Sequence, residues 1–327
     1  MLTDGVIVLR PPAPEDKEPL IALRDERFRR FIGEGSPDPK PTFTVRLAGD
    51  DQVVGWVDAS YDAEEHTWLG DGEVNVGYAL HPEARGRGAA TRSVMLLLHH
   101  LARTRPEVHT ATLAIDADND RSLAIASRCG FTRAADLPSS TFWTKPVPPL
   151  TYTDGTVTIR APRMDDVAAH NDAIDDVQID WLWLPGQRES WEAMSPDEQH
   201  ARQRRNFATT IDTWGDGPKW SFAIEVEGRY VGHVDCDLAN ESVPHGEANI
   251  SYSSHPAVRG KGYVSRAVRL ILRFVAEHTG AREAQIIVNP GNAASMRVPP
   301  AVGMRETERF VDRYGAPMVR HALAITR

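Results

Sequence analysis

One long internal repeat constrains the fold of this chain more than any other feature. GEVNVGYALHPEARGRGAATRSV (72–94) and GEANISYSSHPAVRGKGYVSRAV (246–268) are identical at 11 of 23 positions without a gap. NDRSLAIASRCGF (119–131) likewise corresponds to NAASMRVPPAVGM (292–304). Because the copies begin 174 residues apart, at 72 and 246, the repeated unit has the length of a domain rather than of a solenoid repeat. The sequence therefore predicts two domains of the same fold.

The proline-rich segment KPVPPLTYTDG (145–155) is the predicted connection between the two copies. We place the boundary there and call residues 1–147 lobe 1 and residues 148–327 lobe 2. Lobe 2 carries extra sequence before its central strands, including SPDEQHARQRRNFATTIDTWG. This segment opens with Ser195 and Glu198 at the spacing of a capping box, so we expect an additional helix there.

Within each lobe, short strand-like segments alternate with helical ones. VIVLR and QVVGWVDAS in lobe 1, with TVTIR and RYVGHVDCDL in lobe 2, have the alternation of strands. Each glycine-rich loop precedes an apolar stripe at helical spacing, as in SVMLLLHHLA. The pattern predicts an α/β (α+β) chain in which each lobe is a mixed, mostly antiparallel sheet flanked by helices.

Composition excludes several classes of protein. With 41% hydrophobic residues and a net charge of −9, we expect a globular protein without general affinity for nucleic acid or anionic membranes. Two cysteines, Cys129 and Cys236, are too few for a disulfide framework. The N-terminus resembles no signal peptide and no segment is long and apolar enough to span a membrane, so a cytoplasmic location is expected.

The repeated glycine loops, RGRGAA (85–90) and RGKGYV (259–264), each follow a strand and open a helix. Free backbone N–H groups at a helix N-terminus attract anions, and glycines let a phosphate approach the main chain. A tight turn with solvated arginines is the alternative interpretation. Because the motif occurs twice in the same strand–loop–helix context, it favours an anion site.

With these loops, the chain resembles the GNAT acyl-CoA N-acyltransferase superfamily in tandem. The family motif Arg/Gln-x-x-Gly-x-Gly/Ala fits residues 85–90 fully and residues 259–264 except at Val264, where a small residue is usual. Its second motif is Asn-x-x-Ser followed by Gly-Phe. It matches Asn119, Ser122, Gly130 and Phe131 in lobe 1, and Asn292, Ser295, Gly303 and Met304 in lobe 2, where methionine replaces phenylalanine. Lobe 2 looks most like the branch that acetylates ribosomal-protein N-termini.

The resemblance implies acetyl-CoA as co-substrate, with its pyrophosphate on the loop amides and its pantetheine arm along a strand that parts from its neighbour. The implied coenzyme-binding residues are Leu80, Arg85, Gly86, Arg87, Gly88, Ala89, Ala90 and Asn119 in lobe 1, and Ser254, Arg259, Gly260, Lys261, Gly262, Tyr263, Val264 and Asn292 in lobe 2.

The implied reaction is attack by a neutral amine on the thioester, for which a carboxylate is the usual base. Glu73 and Glu247, on the strand before each loop, are the candidates; a solvated strand edge is the alternative. Ser122 and Ser295 are candidate proton donors to the thiolate, or else helix caps. Many members carry a tyrosine four residues before the glycine of the second motif. Here Ala126 and Pro299 stand at those positions.

We therefore expect an N-acetyltransferase that acts on a small-molecule amine or a peptide N-terminus. A catalytically inactive acyl-CoA-binding sensor or scaffold is the alternative. No metal is expected, because His233, Asp235 and Asp237 alternate on one strand without completing a ligand set. Lobe 1 has the cleaner glycine loop, whereas Pro299 and Pro300 predict a short or kinked helix in lobe 2. We expect coenzyme binding in lobe 1 and acceptor selection in lobe 2 or between the lobes; the alternative is that both lobes are competent.

Overall fold

The computed structural model describes residues 1–136, 139–147 and 151–326. It confirms the α/β (α+β) prediction, since the described residues form two mixed sheets of eight strands each with helices packed against them. The first sheet lies within residues 1–147 and the second within residues 148–327. The predicted domain boundary adjoins residues 148–150, which lie outside the described residues.

The first sheet has the strand order β1-β2-β3-β4-β5-β6-β8-β7. Its strands are β1 Leu2–Thr3, β2 Ile7–Arg10, β3 Phe43–Leu47, β4 Val53–Ser60, β5 Glu73–Leu80, β6 Thr110–Asp116, β7 Thr132–Asp136 and β8 Ser140–Pro146. All neighbours are antiparallel except β5 and β6, which run parallel because helix α3, Ala89–Thr104, connects them.

The second sheet repeats this plan, with the order β15-β16-β14-β13-β12-β11-β10-β9. Its strands are β9 Thr151–Thr153, β10 Thr158–Arg160, β11 Lys219–Val226, β12 Arg229–Asp237, β13 Ala248–Ser254, β14 Glu283–Val288, β15 Arg305–Val311 and β16 Pro317–Ala324. Here β13 and β14 are the parallel pair, and helix α9, Tyr263–His278, connects them.

The described residues form eight further α-helices. They are α1 Lys17–Ala22, α2 Glu26–Ile32, α4 Asp120–Arg128, α5 Asp166–Asp172, α6 Asp176–Leu182, α7 Gln187–Glu192, α8 Pro196–Thr213 and α10 Val298–Ala301. The expected extra helix is α8, and Ser195 and Glu198 form its capping box. The expected short helix is α10, which has prolines in its first turn. No described helix is both long and apolar enough to cross a membrane.

The two lobes share one continuous hydrophobic core. Helix α3 packs against α9, and one large cluster of buried apolar residues contains members of both lobes. His99 of α3 lies 3.1 Å, through Nε2, from the carbonyl oxygen of His278, and its ring packs against Trp220 and Phe274 of lobe 2. Lys145 Nζ donates to the carbonyl oxygens of Cys129 and Glu277, which belong to different lobes. The lobes therefore stabilise each other.

Burial of His99 makes this interface sensitive to acid. Burial, together with the nearby His278, lowers the pKa of His99 to about 3. The unfolded chain binds a proton near pH 6.5 and the folded protein does not, so its stability falls as the pH drops below 6.5. We expect the free energy of unfolding to lose about 2 kcal/mol more between pH 7 and pH 5 in the wild type than in His99→Gln.

Urea unfolding followed by tryptophan fluorescence at both pH values measures this difference. The exposed His245 provides the control, since His245→Gln is expected to keep the wild-type pH dependence. An equal loss of stability in the wild type and His99→Gln would contradict the prediction.

Candidate functional site

The parallel strands at the centre of each sheet separate after a few residue pairs. β5 pairs with β6 only from Glu73 to Asn75, although the two strands continue to Leu80 and Asp116. β13 pairs with β14 at only two positions and then continues to Ser254. Each lobe therefore contains an opening between its central strands. This is the parting of strands that the family resemblance predicts.

The glycine loops lie at the wide end of these openings. Gly86, Gly88, Gly260 and Gly262 have φ between +77° and +83°, a region that favours glycine. A Cβ atom placed on any of the four meets no atom within 4 Å, so the space beside each loop is open. Gly88 and Gly262 are the N-caps of the long helices α3 and α9, and no side chain caps either. The first amides of both helices are therefore available to an anion.

The leading arginine of each loop has a carboxylate partner that the sequence did not indicate. Arg85 forms a two-bond ion pair with Asp25, at 2.6 and 3.0 Å, and donates to the carbonyl oxygen of Leu80. Arg259 pairs with Asp175 in the same way, at 2.6 and 2.8 Å. The bond from Arg85 lowers the pKa of Asp25 to about 2. Each pair fixes its loop to the helix that the aspartate caps, α2 or α6.

Lobe 1 carries a second basic feature beside its loop. Arg27 of α2 donates to Asn119 Oδ1 at 2.6 Å. Burial and then the positive charges of Arg121 and Arg85 lower the pKa of Arg27. Neither Arg27 nor Arg121, nor the exposed Arg87, forms an ion pair within the described residues. Lobe 2 has Val177 and Ala294 at the positions of Arg27 and Arg121, so lobe 1 has the more cationic loop region.

In the second motif the side chain of the asparagine, not that of the serine, accepts the local backbone hydrogen bond, and Asn119 is the N-cap of α4. Asn119 and Asn292 accept hydrogen bonds through Oδ1 from the backbone N–H groups of Ser122 and Ser295. The capping alternative for these serines was therefore wrong. The hydroxyl of Tyr252 donates to the carbonyl oxygen of Ser295, so the motif contacts the strand beside the opening.

Glu73 begins β5, whereas Glu247, expected on the strand, immediately precedes β13; both lie at the paired, narrow end of each opening. Gly70 N–H donates to Glu73 at 3.0 Å, and the N–H groups of Arg282 and Glu283 donate to Glu247 at 2.7 and 2.6 Å. About 23 Å of strand separates each glutamate from the end of its strand at the glycine loop. In this structure both carboxylates accept hydrogen bonds from backbone N–H groups.

The sheet face opposite α3 is closed in lobe 1 by apolar packing. We call this group the lobe 1 plug; it consists of Leu20, Leu23, Phe28, Val53, Trp56 and Ala79. The first three belong to the segment of α1 and α2, and the others to β4 and β5. A side chain at Gly77 would also meet the Trp56 ring at 3.3 Å. The plug fills this face of lobe 1 with apolar side chains around β4 and the end of β5.

Lobe 2 has polar residues at the same positions, which we call the lobe 2 polar cluster. The counterpart of each plug residue follows from three matches between the lobes. These are Asp25 with Asp175, VVGWVD (53–58) with YVGHVD (230–235), and the repeat itself. The counterparts of Leu20, Leu23, Phe28, Val53, Trp56 and Ala79 are His170, Ala173, Gln178, Tyr230, His233 and Ser253. Five of these six are polar or aromatic hydrogen-bonding residues.

The members of this cluster contact one another. His170 Nδ1 lies 3.0 Å from the Tyr230 hydroxyl, and His233 Nδ1 lies 3.0 Å from Ser253 Oγ. The two imidazole rings are 5.7 Å apart between centroids, and Phe207 of α8 packs edge-on against His170. Burial lowers the pKa of His170 to about 4 and also lowers that of His233. Both histidines are therefore neutral at pH 7.

A second polar layer lies one step further along the strands. Asp235 is only 5% exposed, and its Oδ2 is 3.0 Å from Lys219 Nζ and 3.3 Å from Ser251 Oγ. Burial raises the pKa of Asp235, but the interactions with His233 and Lys219 outweigh it, and the pKa lies below its ordinary value. Asp235 is therefore an ionised carboxylate on a buried sheet face. The sequence showed the alternation of His233 and Asp235 but not the helices that bury it.

No group of three histidine, cysteine or acidic side chains among the described residues is arranged to hold a metal ion. A cavity of about 630 Å³ lies beside α5 and the start of β12, with Ala169, Asp172 and Tyr230 in its lining. Tyr230 links this cavity to the lobe 2 polar cluster through its bond to His170.

Comparison with known proteins matches both lobes to one family. The acetyltransferase (GNAT) domain family matches residues 7–132 and 156–305. The mycothiol acetyltransferase of Streptomyces griseus subsp. griseus is 38% identical over 95 residues, which are 29% of this chain and 28% of that protein. The match therefore spans less than a third of that relative.

Solved structures of single-domain length also resemble the chain. RimJ of Mycobacterium smegmatis, solved with a CoA disulfide, has a TM-score of 0.43 and 23% identity over 51% of this chain and 81% of its own. A GNAT family acetyltransferase from Bacillus anthracis has a TM-score of 0.43 and 18% identity over 53% of this chain and 98% of its own.

The lobe 1 plug predicts that two neighbouring residues of α1 contribute differently to the free energy of unfolding. Leu20 is 1% exposed within the plug, whereas Ile21 is 38% exposed. Leu20→Ala removes buried methyl groups and leaves a cavity, so we expect it to lower the free energy of unfolding by about 2–5 kcal/mol. Ile21→Ala is expected to change it by about 0.5 kcal/mol or less. Urea unfolding measures both, and similar losses in the two variants would refute the plug.

Proposed function

This chain belongs to the GNAT acetyltransferase family, and on that premise we propose that it transfers the acetyl group of acetyl-CoA to a small-molecule amine or a peptide N-terminus. The parting of the central strands carries this proposal. It leaves strand backbone free to pair with an extended pantetheine arm, at the place where two uncapped helices offer their first amides.

We propose that both glycine loops are coenzyme sites. The main chain of residues 86–90 and 260–264 would hold the pyrophosphate, because open space beside positive-φ glycines allows close approach. Arg87 and Lys261 are exposed and would add charge, whereas Arg85 and Arg259 would hold the loop in position through their aspartates. Leu80 and Ser254, at the ends of the parted strands, would border the pantetheine arm.

The proposed chemistry needs a base, an oxyanion donor and an acid. Free strand amides in the opening supply donors to the developing oxyanion without any side chain. Ser122 and Ser295 are the proposed proton donors to the thiolate, and Asn119 and Asn292 would position them by accepting hydrogen bonds from their backbone N–H groups. Glu73 and Glu247 are the proposed bases on the strand, and each would first exchange its backbone partners for water or substrate.

A second function is favoured for lobe 1 by the lobe 1 plug. Apolar side chains of α1 and α2 occupy the sheet face on which lobe 2 carries its polar cluster. Lobe 1 combines this closed face with the more cationic loop region around Arg27 and Arg121. This combination supports coenzyme binding in lobe 1 without turnover, as a sensor or scaffold for lobe 2.

Asparagine substitutions test the coenzyme sites without disturbing the fold. Asparagine tolerates positive φ better than other non-glycine residues, so Gly88→Asn and Gly262→Asn retain the turn while their side chains enter the open space. We expect calorimetry to detect two acetyl-CoA sites in the wild type. Each variant should lose one site, with an unfolding midpoint within a few degrees of the wild type.

Gly228 supplies the matched control, because it also has positive φ (+74°) and open space but lies in the β11–β12 turn. Gly228→Asn should keep both sites. Full acetyl-CoA binding by the double variant Gly88→Asn/Gly262→Asn would show that the loops are only turns.

A further inference from the structure

In lobe 2 the polar cluster stands where lobe 1 has a hydrophobic group. Burying such polar side chains is destabilising unless each of them is hydrogen-bonded. In lobe 1 the same positions pack as an apolar plug, so the fold itself does not require polar residues there. Two duplicated lobes with the same helix caps and the same loop ion pairs differ at this face. The difference points to a role for lobe 2 beyond stability.

Two buried oxygens in this region have no hydrogen-bond partner within the described residues. They are Asp235 Oδ1 and Gln178 Oε1, and the two residues are 5% and 7% exposed. A buried acceptor without a donor destabilises the fold, and more so when it is charged. Each of these two oxygens can therefore accept a hydrogen bond from a ligand. Since Asp235 is ionised, a cationic donor fits it best.

One ring nitrogen of His233 is hydrogen-bonded within the protein, and the other is free to bind a ligand. Ser253 Oγ engages Nδ1 at 3.0 Å, and Nε2 has no hydrogen-bond partner in the part of the chain that the structure describes. When Nδ1–H donates to Ser253, the lone pair lies on Nε2, where a proton can be accepted. The strand that carries Ser253 is β13, the edge of the lobe 2 opening.

From these contacts we infer that lobe 2 is the transferring lobe, that Asp235 binds a primary ammonium group of the acceptor, and that His233 removes its proton. This inference rests on the proposed acetyl transfer and names its acceptor class and its base. It assigns to His233 the role that strand position alone suggested for Glu247.

The acceptor R–NH₃⁺ gives one proton to His233 Nε2 and becomes R–NH₂. The amine lone pair forms a C–N bond to the thioester carbonyl carbon, and the C–S bond then breaks, with its electron pair leaving on sulfur. A second proton moves from the nitrogen to the thiolate. The products are the N-acetyl amine and coenzyme A, and the protonated His233 releases its proton to solvent.

The titratable and charged groups that face His233 are His170 at 5.7 Å between ring centroids, Asp235 on the same strand, and Lys219, which is paired with Asp235. Burial and then the charge of Lys219 lower the pKa of His233, whereas the carboxylate of Asp235 raises it, and burial is the largest of these effects. Because burial lowers the pKa of His233, its neutral form persists below the ordinary histidine range. Activity should therefore fall only when the pH drops below that range, as His233 becomes protonated.

The first test measures thiol release from acetyl-CoA with 2-phenylethylamine as acceptor, with calorimetric titration of acetyl-CoA on each variant. We expect His233→Gln and Asp235→Asn to lower kcat/KM at least about 100-fold while the acetyl-CoA Kd stays within about two-fold. Asp58→Asn is the matched control, because Asp58 is the lobe 1 counterpart of Asp235 and accepts from Thr42 instead. It should keep wild-type activity.

The pH profile separates a base from a structural residue. The acid limb of kcat/KM should disappear in His233→Gln, and added imidazole should restore part of the rate to His233→Ala. Retained activity in His233→Gln together with its loss in Glu247→Gln would overturn the inference and return the role of base to Glu247.

The second test does not depend on turnover. The imidazole ¹⁵N signals of His233 are recorded with increasing 2-phenylethylammonium. We expect them to shift in the wild type and in Asp58→Asn but not in Asp235→Asn. Absence of a shift in the wild type would overturn the inference even if acetyl-CoA binds. Loss of acetyl-CoA binding with an intact shift would instead refute the proposed acetyl transfer and leave the ammonium site standing.

Discussion

The separation of two parallel strands is the constraint on which the rest of each lobe depends. Backbone N–H and C=O groups that leave a sheet ladder need other partners, and a chain tolerates their loss only where water or a ligand replaces them. In both lobes the pairing stops after two or three residues, and the loop that follows turns through two left-handed glycines into a long helix. The opening, the free helix amides and the loop thus form one continuous surface.

Duplication places two such surfaces around one core. Helices α3 and α9 follow the two loops and pack against each other, so the parts that position one opening also support the other. The loop arginines add a second link, since Arg85 and Arg259 fix each loop to a helix cap. On this common frame, lobe 1 carries apolar packing and more cationic charge, whereas lobe 2 carries a polar face at the same positions.

The sequence predicted those features that depend on neighbouring residues. The glycine loops, the capping box of α8 and the short helix imposed by Pro299 are local effects, and all were found. Contacts between distant segments were not predicted. Arg85 and Asp25 are 60 residues apart, and nothing in either segment indicates that they pair. The plug was also hidden, because its residues come from segments whose offsets between the lobes differ, 150 residues at Leu20 and His170 but 174 at the loops, and only the fold shows that they contact one another.

Hydrogen exchange of the intact chain, with and without saturating acetyl-CoA, tests the strand-opening account most directly. Amides in the opening and the loop are expected to exchange more slowly when the coenzyme occupies them. The account predicts slower exchange in residues 76–90 and 252–264, with little change in the edge strands β7 and β15. Unchanged exchange in both segments under conditions where acetyl-CoA binds would contradict it, because the coenzyme would then lie elsewhere on the protein.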